Sequence, residues 1–129
     1  EICAAAGVAY LKLIDSLGLV ANAKETGAYF NDKLASVFAD HEIVGEVRGE
    51  GLMAALEFVK DRNTRTFLDP ALKVAPRIAA ACLERGLIVR AMPEGDILGF
   101  APPLCLTPDE ADKIVAITKQ AVDAVAGEL

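Results

Sequence analysis

The sequence contains no tryptophan, and aromatic residues make up only 5% of its 129 positions. A core therefore has to come from Ala, Val, Ile and Leu, and with an apolar share of 53% there is enough for one soluble globular domain. There is a single histidine and no CxxC pair, so neither a zinc site nor a dithiol redox pair can be assembled, and no metal is expected. The three cysteines, Cys3, Cys82 and Cys105, are odd in number, far apart and set in apolar runs. They read as free buried thiols in a reducing, cytoplasmic setting. Basic residues are outnumbered, 13 against 19 acidic, for a net charge of −6. That disfavours nucleic acid and anionic membranes as partners, and no block of like charge is long enough to form a tail. The apolar opening, Ile2 to Ile14 with Lys12 as its only charge, has no basic leader and is too short to span a bilayer.

That opening is nevertheless unusual. Glu1 to Leu11 has high helix propensity and no polar face, and a helix apolar all round needs cover on every side. The roughly 110 residues after it make a thin domain, poorly suited to enclose it. With no initiator Met either, the expectation is that residues 1–17 form a connecting helix packed on a missing larger N-terminal body, and residues 18–129 form a small C-terminal domain. A central helix of a self-contained domain is the alternative.

A second helix is expected over Leu19–Phe38, with Val20, Ala23, Gly27, Phe30, Leu34 and Val37 on one stripe and Gly18 separating it from the first. Ile43–Arg48 and Leu52–Val59 read as strands of a hairpin around Gly49-Glu50-Gly51. Asp69-Pro70 looks like the N-cap and first position of a third helix, with Ala71, Val74, Ala75, Ile78 and Cys82 inward, Pro76 kinking it or delaying its start, and Gly86 ending it. Leu87–Arg90 comes next as a strand, then a turn at Pro93-Glu94-Gly95-Asp96, then strand-like pieces at Ile97–Phe100 and Leu104–Leu106. Thr107-Pro108-Asp109-Glu110 spells an N-cap, a first-turn proline and a capping-box glutamate for the last helix. Its stripe is Ala111, Ile114, Val115, Thr118, Val122 and Val125. The order α-α-β-β-α-β-β-α is an α+β arrangement, a small mostly antiparallel sheet of three or four strands covered by helices.

Few constellations carry chemistry. Gly49 to Ala54 fits the dinucleotide pattern GxGxxG/A, but the residues beyond Ala54 alternate like a strand where that fingerprint needs a helix, so a hairpin turn fits better. His41, between Asp40 and Glu42, reads as a solvated residue at a helix end. Ser16 and Ser36 lack a nucleophile-elbow context. Asp109, Glu110 and Asp112 suit a helix N-terminus through its dipole and do not spell a calcium loop. Arg90 ends an apolar strand before a Gly-containing turn, where a guanidinium can meet a carboxylate in a two-pronged contact; spacing alone fits a surface salt bridge.

Val47-Arg48-Gly49-Glu50-Gly51-Leu52-Met53-Ala54-Ala55-Leu56-Glu57-Phe58 resembles the strand-turn-strand signature of class III aminotransferases. Gly86 to Ala91, Gly95-Asp96-Ile97 and Ala101-Pro102-Pro103-Leu104 resemble their C-terminal signature, Thr107 opens the final helix as is usual there, and Cys3-Ala4-Ala5-Ala6 is similar to the helix following the cofactor region. The resemblance spans essentially the whole chain. It implies the small C-terminal domain of a fold-type-I enzyme whose large domain holds pyridoxal phosphate on a lysine, upstream of the position that Glu1 matches. None of Lys12, Lys24, Lys33, Lys60, Lys73, Lys113 and Lys119 has the matching context, so no catalytic or cofactor-binding residue is assigned here. Arg90 matches the mobile, substrate-binding arginine of the ω-aminotransferase branch, which holds a substrate carboxylate. Ornithine- and acetylornithine-type members carry an arginine where this chain has Gly99, which favours the ω-amino acid or amine:pyruvate branch. The partners implied are an amino donor and a keto-acid acceptor, with a homodimer for the full enzyme. The competing expectations are a stand-alone α+β ligand-binding or regulatory module, and an interaction domain that uses the apolar helix as its contact.

Overall fold

Alternation along the strands decides which side of the sheet is buried. In the computed structural model, which describes residues 1–129, β1 (Val44–Glu50), β2 (Met53–Phe58), β3 (Arg90–Ala91) and β4 (Ile97–Phe100) form one antiparallel sheet of order β1-β2-β4-β3. Ala54, Leu56 and Phe58 of β2 and Leu98 and Phe100 of β4 point to one face and are buried. The period of two puts Met53, Ala55, Glu57, Ile97 and Gly99 on the other face, where none is buried.

Three helices close the apolar face: α2 (Leu19–Phe38), α3 (Val74–Glu84) and α4 (Pro108–Ala126). Phe30 and Leu34 of α2, Ile78 and Cys82 of α3, and Val115 and Val122 of α4 join the sheet residues in one cluster. Phe30 meets Phe100 edge to face, with ring centroids 5.9 Å apart. Each fully buried side chain of this size contributes about 1.5–3 kcal/mol. The architecture is thus an α+β fold of the expected order, with helices on one side of the sheet only.

The first helix, α1 (Ile2–Ser16), has no buried residue. Gly18, at φ +60°, breaks it from α2, and the two axes meet at a 60° bend. Ile2, Val8, Tyr10, Leu11, Leu13 and Leu17 all stay exposed. No single helix is long and apolar enough to cross a membrane.

Three elements depart from expectation. Asp69 does cap, its carboxylate accepting from the Ala71 N–H, but it opens only a 3-10 turn, Pro70–Leu72. Lys73 then takes a left-handed conformation, φ +48°, and α3 begins at Val74. A helix running on from Pro70 would have Pro76 in its interior, losing a hydrogen bond and pressing its ring on the Leu72 carbonyl, at about 3 kcal/mol. Starting at Val74 puts Pro76 in the first turn, where no N–H is needed, and leaves Ala71 exposed. β3 is shorter than Leu87–Arg90 because residues 87–89 are spent leaving α3: Gly86, at φ +84°, donates to the Leu83 carbonyl and Leu87 to that of Cys82. Leu104–Leu106 is not a strand. Its Leu104 and Leu106 carbonyls accept instead from the Asn22 side-chain amide of α2, at 2.7 and 3.0 Å.

Candidate functional site

The open face of the sheet carries one row that crosses all four strands. Arg48 pairs with Ala55, Ala55 with Gly99, and Gly99 with Arg90. Small residues in the middle and long cationic ones at both ends make a trough, since an alanine and a glycine project almost nothing above the sheet. The two arginine Cα atoms lie three inter-strand steps apart, about 14 Å. A groove of about 920 Å³ runs along this row, walled by Met53, Ile88, Val89, Met92, Pro93 and Ile97. At Gly99 a Cβ would come within 3.3 Å of the Met92 sulfur, so glycine is what leaves the floor open.

Its charges are unequal in kind. Arg48 is tied down by Glu57 at 2.6 Å and Glu46 at 2.9 Å. The Glu57 hydrogen bond, with smaller help from Glu46, outweighs partial burial and raises the Arg48 pKa above its usual value. Arg90 is exposed and takes part in none of the ion pairs of the chain. The surface salt bridge that spacing alone suggested is not formed. Glu94, in the β3–β4 loop, also lines the groove and is likewise unpaired. Neither Arg48 nor Glu94 stood out in the sequence as a groove residue; their register across the sheet is the signal, and it needs the pairing to be known.

The groove suits a small carboxylate with an apolar body: a free guanidinium presents a planar fork of donors, and the walls are mostly apolar. It does not suit pyridoxal phosphate held as an adduct of its aldehyde, because no lysine lines it.

The remaining candidates lie elsewhere. His41 is not a solvated loop residue: only 10% of its side chain is exposed, and its Nε2 lies 3.1 Å from the Asp123 carboxylate of α4. Its Nδ1 is buried without a partner. Only Cys82 of the three cysteines is buried, where desolvation raises its thiol pKa; Cys3 and Cys105 are exposed, because nothing covers α1 and Cys105 falls in the turn before α4. Glu110 completes the capping box with Thr107, and Asp112 pairs with Lys33 at 2.9 Å and accepts from the Tyr29 hydroxyl. The hairpin forms at the expected glycines, but Gly49 and Glu50 are still paired in β1, opposite Ala54 and Met53, and the turn itself is Gly51-Leu52, with Gly51 at φ +55°.

The family model described as aminotransferase class-III matches residues 2–122. A relative from Halomonas elongata, diaminobutyrate–2-oxoglutarate transaminase, is 58% identical over 97% of this chain, which spans 27% of that protein. A transaminase structure from directed evolution by ancestral reconstruction superposes with a TM-score of 0.98 at 63% identity, over 99% of this chain and 28% of the other. The PMP-bound form of an aminotransferase from Vibrio fluvialis superposes with a TM-score of 0.83 at 34% identity, over 90% of this chain and 25% of the other. The chain thus spans about a quarter of the length of the relatives that it matches.

Proposed function

This chain belongs to the class III aminotransferases, and from that premise we propose that it is the small C-terminal domain of a pyridoxal-phosphate-dependent enzyme that moves an amino group from an amine or ω-amino acid to a keto acid. Residues 1–17 connect it to a larger domain, and residues 18–129 form one wall of the substrate site. No lysine lines the groove, which supports a cofactor held by a larger domain and a chain that is inactive alone. The chain's own contribution is Arg90, which holds the substrate carboxylate. One observation carries this: of the two guanidiniums in the groove, Arg48 is neutralised by two carboxylates and Arg90 is free.

Gly99 supports a short acceptor such as pyruvate, since it supplies no second carboxylate anchor. The 2-oxoglutarate in the name of the Halomonas relative makes that keto acid the competing acceptor. Measured on the intact protein, Arg90→Ala should lower kcat/KM for keto acids about 10- to 100-fold, the worth of a charged hydrogen bond. Simple aldehydes, which have no carboxylate, should be converted as before. Equal losses for both would remove Arg90 from substrate binding. A wild-type preference for 2-oxoglutarate over pyruvate would overturn the acceptor.

A further inference from the structure

The start of α3 is capped from a distance, by a residue at the foot of the groove wall. Lys73 occupies the N-cap position at φ +48°, and a lysine side chain has no atom that accepts a hydrogen bond. Asp96 takes that role: its carboxylate accepts from the Ala75 N–H at 3.0 Å, across a separation of 21 residues. A carboxylate at this place also meets the positive end of the helix dipole. The backbone of Asp96 is held as well, its carbonyl accepting from the Phe58 N–H of β2 at 2.8 Å. Asp96 thus joins α3 by its side chain, β2 by its carbonyl, and β4, which begins at the next residue.

That contact closes a ring in the chain. From Ala75 the backbone runs along α3, turns at Gly86, passes through β3 and the turn at Gly95, and returns to α3 at Asp96. Within the ring β3 has little hold of its own. It is an edge strand of two residues, paired only with β4, through Arg90–Gly99 and Ala91–Leu98. Met92 comes next. It donates to the Ile97 carbonyl at 2.9 Å, and its sulfur lies 3.3 Å from where a Cβ on Gly99 would stand. Met92 and Pro93 wall the groove, so the width left above Gly99 depends on where the ring is closed. We propose that Asp96 is a positioning residue for the groove. By gripping the start of α3 it holds the β3–β4 hairpin in place, and so fixes the backbone that carries Arg90 and the wall at Met92. It acts through these residues and touches no substrate. The inference rests on the reading of Arg90 as the carboxylate anchor.

A double-mutant cycle in the intact protein tests this. Asp96→Ala should lower kcat/KM for pyruvate and 2-oxoglutarate about tenfold, mostly through KM, because a displaced anchor binds a carboxylate less well. A small aldehyde without a carboxylate should change by no more than about twofold. In Arg90→Ala, which has already lost the anchor, adding Asp96→Ala should change kcat/KM for the keto acids by less than about twofold. Asp96→Asn keeps an acceptor at the same reach and should recover most of the loss. If the alanine variant does not fold, Asp96→Ser, with a shorter acceptor, takes its place in the cycle. Hydrogen exchange reads the grip itself: the Ala75 and Met92 amides should both exchange faster in Asp96→Ala. Equal losses for keto acids and aldehyde, or a full loss persisting in Arg90→Ala, would overturn the proposal. So would faster exchange at Ala75 with Met92 unchanged, which would make Asp96 a helix cap alone. If Met92 exchange rises but Arg90→Ala itself spares the keto acids, the carboxylate anchor falls and the bracing of the groove wall stands.

Discussion

At position 27 a hydrogen atom is all that fits. A Cβ there would lie 2.3 Å from the Gly51 carbonyl carbon and from its oxygen, both backbone atoms of the hairpin turn. In an exposed helix, glycine to alanine gains about 1 kcal/mol. Forcing a methyl into a filled contact costs about 1–3 kcal/mol, and here neither partner is a side chain that can swing aside. The second effect wins. Gly27→Ala should destabilise the protein by about 1–2 kcal/mol, a fall of several degrees in Tm by calorimetry; an unchanged or higher midpoint would show that α2 and the turn slide apart freely. The glycines of the hairpin were legible in the sequence, but not their separate reasons. Gly51 needs a positive φ, whereas a Cβ on Gly49 would lie 1.9 Å from the Asn31 side-chain oxygen. Arg90 was singled out by position and resemblance, and it lines the groove. Glu94 was not, because only the β3–β4 register brings its loop to the same groove.

Among the elements, α4 is the one whose start and faces obey local rules. Thr107, Pro108 and Glu110 fix its start, and every residue of its expected stripe is buried or half-buried. Local rules failed where the partner is distant. The N–H of Ala75 is capped by Asp96, well downstream, while Asp69, the cap that sequence favours, serves only the 3-10 turn. Asn22 of α2 holds the loop before α4 across a separation of 82 to 84 residues, which no windowed pattern can reveal. The carboxylates of α4 also give it a pH dependence. Hydrogen bonds from Thr107 lower the Glu110 pKa, and those from Tyr29 and Lys33 lower that of Asp112. For Asp123 burial acts to raise the value, but Lys119 and His41 together bring it below normal. All three ionise more readily folded than unfolded, so they favour the fold at neutral pH, and this contribution disappears as pH falls through their depressed values, below the usual range near 4. The Tm should therefore drop on acidification from about pH 5 towards 2, and Asp123→Asn should make that drop shallower. An identical slope in wild type and variant would mean that the α4 carboxylates do not govern acid stability.

For the molecule as a whole, the decisive contrast lies between a helix with no buried residue and a core that lacks nothing without it. The 22 residues of the buried cluster all fall between Phe30 and Val125, so α1 donates none of the apolar burial that stabilises the remainder. Its sequence already showed a helix with no polar face, and no residue of this core covers it. Removing residues 1–17 should then leave the Tm within about 2 °C of that of the whole chain, since almost no native burial is lost. The same truncation should also reduce self-association measured by sedimentation, because Leu11 at 62% exposure and Ile2 at 86% leave the surface with it. If residues 18–129 alone lost their tertiary near-ultraviolet signal, α1 would be an integral part of this domain and the division at residue 17 would be wrong. If they stayed folded but associated as strongly as before, the adhesive surface would lie on the open face of the sheet, beside Met53 and Ile88, instead of on α1.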